Sequence, residues 1–317
     1  MRFGRPDRVP FLEEGYRDDV IDRWRGQGLP PGVGIAEIFG LDRREDIPVD
    51  WAPRPATRHR PLTSRWLEEL ARGLDPEAAE RLPYDWAKRC AAWRTRSHIL
   101  GLSVHDGLLL SMGVGDWAGF DEAMDILAVD PVFARELMLI KGDFLARYAA
   151  RVLRDVVPDY AVLSEPIGGN NGPVVSPRLY RDVALASYRP LVEALRRGGV
   201  ETIIFMTYAN SRVLLRDVLD AGFNTLWACE VDPEAMDYAS LRREYGSSLR
   251  LIGGVDLDCL LEGEEAIRHE IETKVPVLLA QGGYCPLADG RVRVNVPFSR
   301  YISYREELAR VAGAGTR

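Results

Sequence analysis

The chain has 317 residues, 46% of them hydrophobic and 28% charged, the balance of a globular enzyme with a large core. Its 41 basic and 48 acidic residues are interspersed and leave a net charge of −7, without the basic stripe that nucleic-acid binding needs. No apolar run reaches the ~18 residues of a membrane span, and the basic Met1 to Pro10 stretch has no apolar run after it; a cytoplasmic protein is expected.

In chain order, residues 1–95 read as a mostly irregular and helical N-terminal extension, with turn signals at Gly28-Leu29-Pro30-Pro31 and a Pro/Arg-rich stretch from Trp51 to Pro61. The Arg54 to Arg65 segment, the one locally basic run, reads as a solvated face or a lid over a pocket. From residue 96 to 317 short apolar runs alternate with amphipathic helices, the pattern of βα units around a parallel sheet. The strands are expected at His98 to Val104, Tyr160 to Leu163, Thr202 to Thr207, Thr225 to Cys229, Arg250 to Gly253 and Val277 to Gly282. Helix starts are marked at Asp130-Pro131, Ser176-Pro177 and Asp232-Pro233, where a capping side chain precedes a proline whose missing N–H costs nothing. Gly222 and Gly246 mark helix ends. A closed (β/α)8 barrel, the expected α/β fold, needs two further strands from the N-terminal part, with Arg8 to Glu13 the best candidate for one. A doubly wound nucleotide-binding sheet is disfavoured, because Gly113-Val114-Gly115 lacks the GxGxxG spacing.

Barrel active sites lie at the C-terminal ends of the strands, which turns the strand reading into a list of residues. Five of the six strands end on or beside a carboxylate, and carboxylates gathered at one mouth raise one another's pKa and suit acid/base work. Glu165, Asp256 and Asp106 rank above Glu230, whose plain alternative is a surface or capping role. His105, beside Asp106, is the histidine placed where a barrel presents catalytic groups; His59, His98 and His269 are not. Tyr208 and Asn210 follow the third of these strands, and Tyr284 and Cys285 the last, with Arg291 and Arg293 beyond. After Glu165 the segment Gly168-Gly169-Asn170-Asn171-Gly172-Pro173 is too rich in glycine and asparagine for core and suits close approach to a ligand. The helix beginning at Ser176-Pro177 is expected to aim its free N–H groups at an anionic substrate group. Glu165, Tyr208, Asp256 and Cys285 are expected to share one cavity. The four cysteines, Cys90, Cys229, Cys259 and Cys285, form no CxxC pair and suggest neither a disulfide framework nor a zinc ribbon.

The segment Gly172-Pro173-Val174-Val175-Ser176-Pro177-Arg178-Leu179-Tyr180 resembles the GPxxSPxxY element of the uroporphyrinogen decarboxylase superfamily, preceded by an acidic strand end at Glu165-Pro166. Arg8-Val9-Pro10-Phe11, Trp24 with Gly28-Leu29-Pro30, Phe39-Gly40-Leu41-Asp42, Leu251-Ile252-Gly253-Gly254-Val255-Asp256, Gly282-Gly283-Tyr284, and Val296-Pro297-Phe298 with Tyr301 are similar to its methyltransferase-like branch. The resemblance implies the barrel and supplies its two missing strands. It also implies a zinc site with a His-x-Cys pair where this chain has Met206 and Tyr208, and a third ligand near Gly290. Methionine, tyrosine and glycine cannot make a thiolate-rich zinc site, so no metal is expected in that position. A rebuilt site would draw on His105, Glu165 and Cys285.

The function expected from these readings is a cofactor-independent decarboxylase of a small, electron-rich substrate other than uroporphyrinogen. Asp106 or His105 would be the acid, Tyr208 a hydroxyl donor and Arg291 or Arg293 the carboxylate clamp. Glu165 and Asp256 complete the catalytic set; Asn170, Asn171, Asn210 and Tyr284 join the arginines in binding substrate. The alternatives are a corrinoid- or zinc-dependent methyltransferase or demethylase, and a non-catalytic binding protein on the same barrel. The expected partner is a small molecule, not nucleic acid or membrane, and the reading leaves room for a homodimer.

Overall fold

β-Branched and aromatic residues in runs of five to seven favour extended backbone, and runs apolar on both faces need cover on both faces. The computed structural model of the chain describes residues 1, 3–4, 8–54, 62–231 and 234–313. These form two compact units: a central one, Arg44–Thr207 with Ser211–Asn224, and a terminal one, Met1–Arg43 with Tyr208–Asn210 and Thr225–Arg317. The expected boundary near residue 95 falls inside the central unit. His59 and the Asp232-Pro233 helix start lie outside the described residues, as does most of the Arg54 to Arg65 stretch. No described helix is long and apolar enough to cross a membrane.

In the central unit β1 (Arg44–Asp46), β2 (Ile99–His105), β3 (Tyr160–Glu165), the short β4 (Gly168–Gly169) and β5 (Gly172–Pro173), and β6 (Ile203–Tyr208, all but its last residue) follow in chain order. β1 pairs in parallel with β2, β2 with β3, and β3 with β6. The N-terminal strand is therefore Arg44–Asp46, not Arg8 to Glu13. Leu100, Leu102, Val104, Ala161 and Leu163 are buried, each leucine contributing about 1.5–3 kcal/mol by leaving water. Asp130 caps the helix Pro131–Leu153 by accepting from Phe133 N, and Ser176 caps Pro177–Tyr180 by accepting from Leu179 N, both as their Asx-Pro and Ser-Pro pairs foretell. The glycine- and asparagine-rich loop is an antiparallel hairpin of β4 and β5, with Asn170 and Asn171 exposed at its tip.

In the terminal unit β7 (Thr225–Cys229), β8 (Arg250–Ile252) and β9 (Tyr284–Cys285) pair in parallel, and all five residues of β7 are buried. Val277 to Gly282 is not a strand: residues 264–281 form one helix, with Ile267, Ile271, Val275 and Leu278 buried and Val277 exposed. The burial spacing of three to four is that of a helix, which overrides the strand-like composition of the run. The helix Tyr238–Tyr245 is capped by Asp237, which accepts from Ala239 N and Ser240 N. Within this unit the N-terminal segment is anchored by Trp24, buried against Tyr16, Phe298 and Tyr301 with its indole N–H on Val296 O at 2.8 Å. A buried Glu13–Arg305 ion pair at 3.2 Å fixes it further.

Candidate functional site

The alternation of side chains along β3 decides where its acid points. Leu163 and Glu165 are buried on one face while Val162 and Ser164 are half-buried on the other, and Glu165 stands in register with Thr207, which is also buried. Glu165 is 0% exposed. Its Oε1 accepts from Leu108 N at 2.9 Å, and its Oε2 accepts from the hydroxyls of Tyr180 at 3.0 Å and Tyr188 at 2.6 Å. Residues eight apart on a regular α-helix point about 80° away from each other. A wide π-helical turn at Arg181–Leu185 takes up that offset and brings both tyrosines onto one oxygen. Gly107, at φ 84°, lies so close that a Cβ would collide with Glu165 Oε1. Burial raises the Glu165 pKa to about 7, against the lowering effect of the Tyr188, Leu108 and Tyr180 hydrogen bonds.

His105 belongs to the same cluster, its ring edge-on to Tyr188 at 4.9 Å. Its Nδ1 accepts from Gly107 N at 2.7 Å, so the neutral ring carries its proton on Nε2, which is buried and has no hydrogen-bond partner among the described residues. Burial, with help from the Lys141 charge, lowers its pKa to about 3. Asp106 is exposed at the start of the next helix. His98 pairs with Glu45 at 3.0 Å.

The terminal unit holds an open cavity of about 560 Å³ lined by Glu14, Arg17, Asp18, Tyr208, Glu230 and Arg291. The stretch Glu14–Asp18 is laid along this wall by backbone bonds in both directions, Arg17 N to Val292 O and Val292 N to Gly15 O, each 3.0 Å. Glu230 sits at φ 49°, a left-handed position that strains a side-chain-bearing residue. Arg17 donates to its Oε1 at 2.9 Å and Arg293 to its Oε2 at 2.8 Å, and Arg293 also reaches Asp258 at 2.5 Å. Gly290 leaves room for that carboxylate: a Cβ there would stand 3.1 Å from Glu230 Oε1. Arg291, 52% exposed, donates to Tyr16 O at 2.6 Å and forms an ion pair with the fully exposed Asp18 at 3.8 Å. Burial raises the Glu14 pKa, assisted by the charges of Glu13 and Glu230 and opposed by the Cys229 thiol and Arg291. The Tyr208 phenol is pushed up to about 12, chiefly by burial.

The other expected site residues are distributed elsewhere. Asp256 lines a separate cleft of about 20 Å³ with Lys274, Tyr238 and Asp289. Asp289 is buried and accepts from Leu257 N and Val231 N, and burial raises its pKa to about 7. Tyr284 is buried with its hydroxyl on Gly253 O, and Cys285 is buried with its thiol on Pro10 O. Asn210 is half-buried in the turn after β6. Within the terminal unit Tyr208 and Asp256 line different openings and Cys285 is packed away, and in the central unit Glu165 is sealed from solvent. Glu14, Arg17 and Asp18 are further lining residues, and the dense charge from Glu13 to Asp19 is the one sequence signal that marks them. Tyr180 closes the Gly172–Tyr180 segment, and its bond to Glu165 has no local signal in the sequence.

The profile of the uroporphyrinogen decarboxylase family matches residues 108–284, more than half of the chain. The chain belongs to the uroporphyrinogen decarboxylase family. The match contains Glu165, the hairpin, the two tyrosines, Tyr208 and Glu230, and leaves Glu14, Arg17, Asp18 and Arg291 outside it. Among solved structures, a methyltransferase from Methanosarcina mazei superposes with a TM-score of 0.60 at 12% identity, covering 98% of this chain and 94% of that one. At that identity the likeness shows the fold, the α/β barrel-like fold of the uroporphyrinogen decarboxylase family. A xylanase B from Clostridium stercorarium F9 (TM-score 0.39, 14% identity, 73% and 82% coverage) is too distant to bear on function. The same holds for a candidate vitamin-B12-independent methionine synthase from Listeria monocytogenes (0.42, 10%, 98% and 98%). No curated protein sequence matches the chain. The zinc implied by the methyltransferase-like branch does not fit the residues at its expected position: Met206, Tyr208 and Gly290 offer a thioether, a phenol held protonated and no side chain. No group of three His, Cys, Asp or Glu side chains suited to a metal occurs among the described residues.

Proposed function

We propose that this member of the uroporphyrinogen decarboxylase family decarboxylates a small, electron-rich carboxylate in the cavity of Glu14, Tyr208 and Arg291. The observation that carries this reading is Arg291. Of the cavity's two arginines, Arg17 is bonded to Glu230, whereas Arg291 has no carboxylate within hydrogen-bond distance among the described residues. A half-exposed guanidinium in that condition suits bidentate capture of a substrate carboxylate.

The proton donor is Glu14, not the Asp106 or His105 expected from the sequence. Burial keeps the Glu14 carboxyl protonated to higher pH than usual, while it keeps the His105 ring neutral. The acid delivers its proton to the substrate carbon that bears the carboxylate. The bond from that carbon to the carboxylate carbon then breaks, its electron pair returns to the electron-rich system, and CO2 leaves. Glu14 regains its proton from solvent, so atoms and charge balance over the cycle. The Tyr208 hydroxyl, neutral at all physiological pH values, donates to the substrate and orients it.

Family membership supports methyl transfer as well, and the donor set of this cavity is what favours decarboxylation. The test is an assay of the purified protein against small aryl and heteroaryl carboxylates, following CO2 release, with methylated thiols and amines followed in parallel for loss of the methyl group. CO2 release from at least one carboxylate is the expected result. Methyl loss without CO2 release would replace this reading by the methyltransferase one, and binding without either by a non-catalytic one.

A further inference from the structure

The second arginine of the cavity is occupied in a way that tells something about the ligand. Glu230 divides its two oxygens between Arg17, at 2.9 Å, and Arg293, at 2.8 Å. Arg293 and Asp258 complete the group, so two carboxylates and two guanidiniums balance. The Arg17 side chain is 52% exposed, which makes its bond to Glu230 a weak and exchangeable one. The Glu230–Arg293 bond has the less exposed arginine, at 29%, and would survive the loss of Arg17. If Arg17 turned to another anion, Glu230 would keep a guanidinium partner and no charge would be stranded. The backbone of Glu230 is held at φ 49° with its N–H on Asp289 O, which fixes its carboxylate at the cavity wall beside Gly290.

We infer that Glu230 is a built-in carboxylate stand-in, holding Arg17 until the second anionic group of a ligand displaces it, so that the cavity selects dianionic over monoanionic small molecules. The inference rests on Arg291 as the first anion anchor. Arg17 and Arg291 line the same cavity, and the strap that carries Arg17 is tied to the Arg291 loop by the Tyr16–Val292 bridge and by the Arg291 bond to Tyr16 O. Their two guanidiniums thus present a pair of anion sites on one cavity wall, Arg291 held by Tyr16 O and loosely by the exposed Asp18, and Arg17 bonded to Glu230.

Calorimetric titration with acetate, propionate, malonate and succinate as probes tests this, on the wild-type chain and on Arg17→Gln, Glu230→Gln and Arg291→Gln, each checked for an unchanged melting temperature. The expected results are at least tenfold tighter binding of a dicarboxylate than of its monocarboxylate counterpart, collapse of that ratio towards one in Arg17→Gln, and a several-fold gain for dicarboxylates in Glu230→Gln. Equal binding of mono- and dicarboxylates by the wild type, or weaker dicarboxylate binding in Glu230→Gln, would overturn it. Loss of acetate binding in Arg291→Gln keeps the underlying reading even then; acetate binding unaffected by Arg291→Gln removes that reading and the stand-in with it.

Discussion

The Tyr188 hydroxyl donates to Glu165 Oε2 at 2.6 Å, and this bond is the largest influence opposing the burial that lifts the carboxyl to about 7. The stability consequence has a definite sign. A glutamate whose folded pKa lies above its ordinary 4.5 binds its proton more tightly when folded, so its contribution is full below pH 4.5 and is lost as pH rises through 7. The range corresponds to about 3 kcal/mol. His105, with its folded pKa near 3, acts in the opposite direction between pH 3 and 6.5. The two are separated by the stability difference between wild type and Glu165→Gln, which is expected to move in favour of the variant by a few kcal/mol from pH 4.5 to 7.5. A difference that stays flat with pH would show that Glu165 does not titrate there.

Removing the acceptor has a larger cost than neutralising it. A glutamine at 165 can keep its oxygen on Leu108 N and turn its NH2 toward the two phenols, which then accept. Glu165→Ala leaves Leu108 N, Tyr180 and Tyr188 without their acceptor, and a destabilisation of about 3 to 5 kcal/mol is expected from chemical denaturation. Tyr188→Phe is expected to raise the Glu165 pKa further, moving the pH-dependent window above 7.

Much of the fold is legible in the sequence because its determinants are local. The runs at Tyr160 and Thr225 and the Asp130-Pro131 and Ser176-Pro177 pairs carry their structure in neighbouring residues. Val277 misleads because a short apolar run has no period of its own, and the helix is visible only when Ile267, Ile271 and Val275 are counted with it. The acid at the end of β3 is legible, but the face it takes is not. That depends on its register with Thr207 and on tyrosines 15 and 23 residues further on. The cavity is less legible still, since Arg17 and Arg291 come to one wall through the long-range pairing of the Gly15–Arg17 stretch with Val292.

All four cysteines are free and buried, and burial pushes the Cys285 thiol up to about 12. No thiol is expected to react with Ellman's reagent in the native protein at pH 8, and four are expected after denaturation. Rapid reaction of one thiol per native chain would show that a buried cysteine is open to solvent.

If the protonated form of Glu14 is the acid, its raised pKa gives kcat an alkaline limb that sets in as the carboxyl ionises. Glu14→Gln is expected to abolish turnover while retaining substrate binding, and Glu14→Asp to keep some turnover with a shifted limb. An unaltered pH profile in Glu14→Asp would assign the proton to another group.

The most direct measurement is CO2 release by Arg291→Gln beside wild type on the best substrate of the carboxylate panel. Arg291 is half-exposed and its ion pair among the described residues, with the fully exposed Asp18 at 3.8 Å, is a loose one, so its loss is expected to leave the melting temperature within about 2 °C. With the clamp gone, kcat/KM is expected to fall by about 100-fold or more, the loss of roughly 3 kcal/mol of transition-state stabilisation. Wild-type kcat/KM in a folded Arg291→Gln protein would contradict the placement of the substrate carboxylate in this cavity.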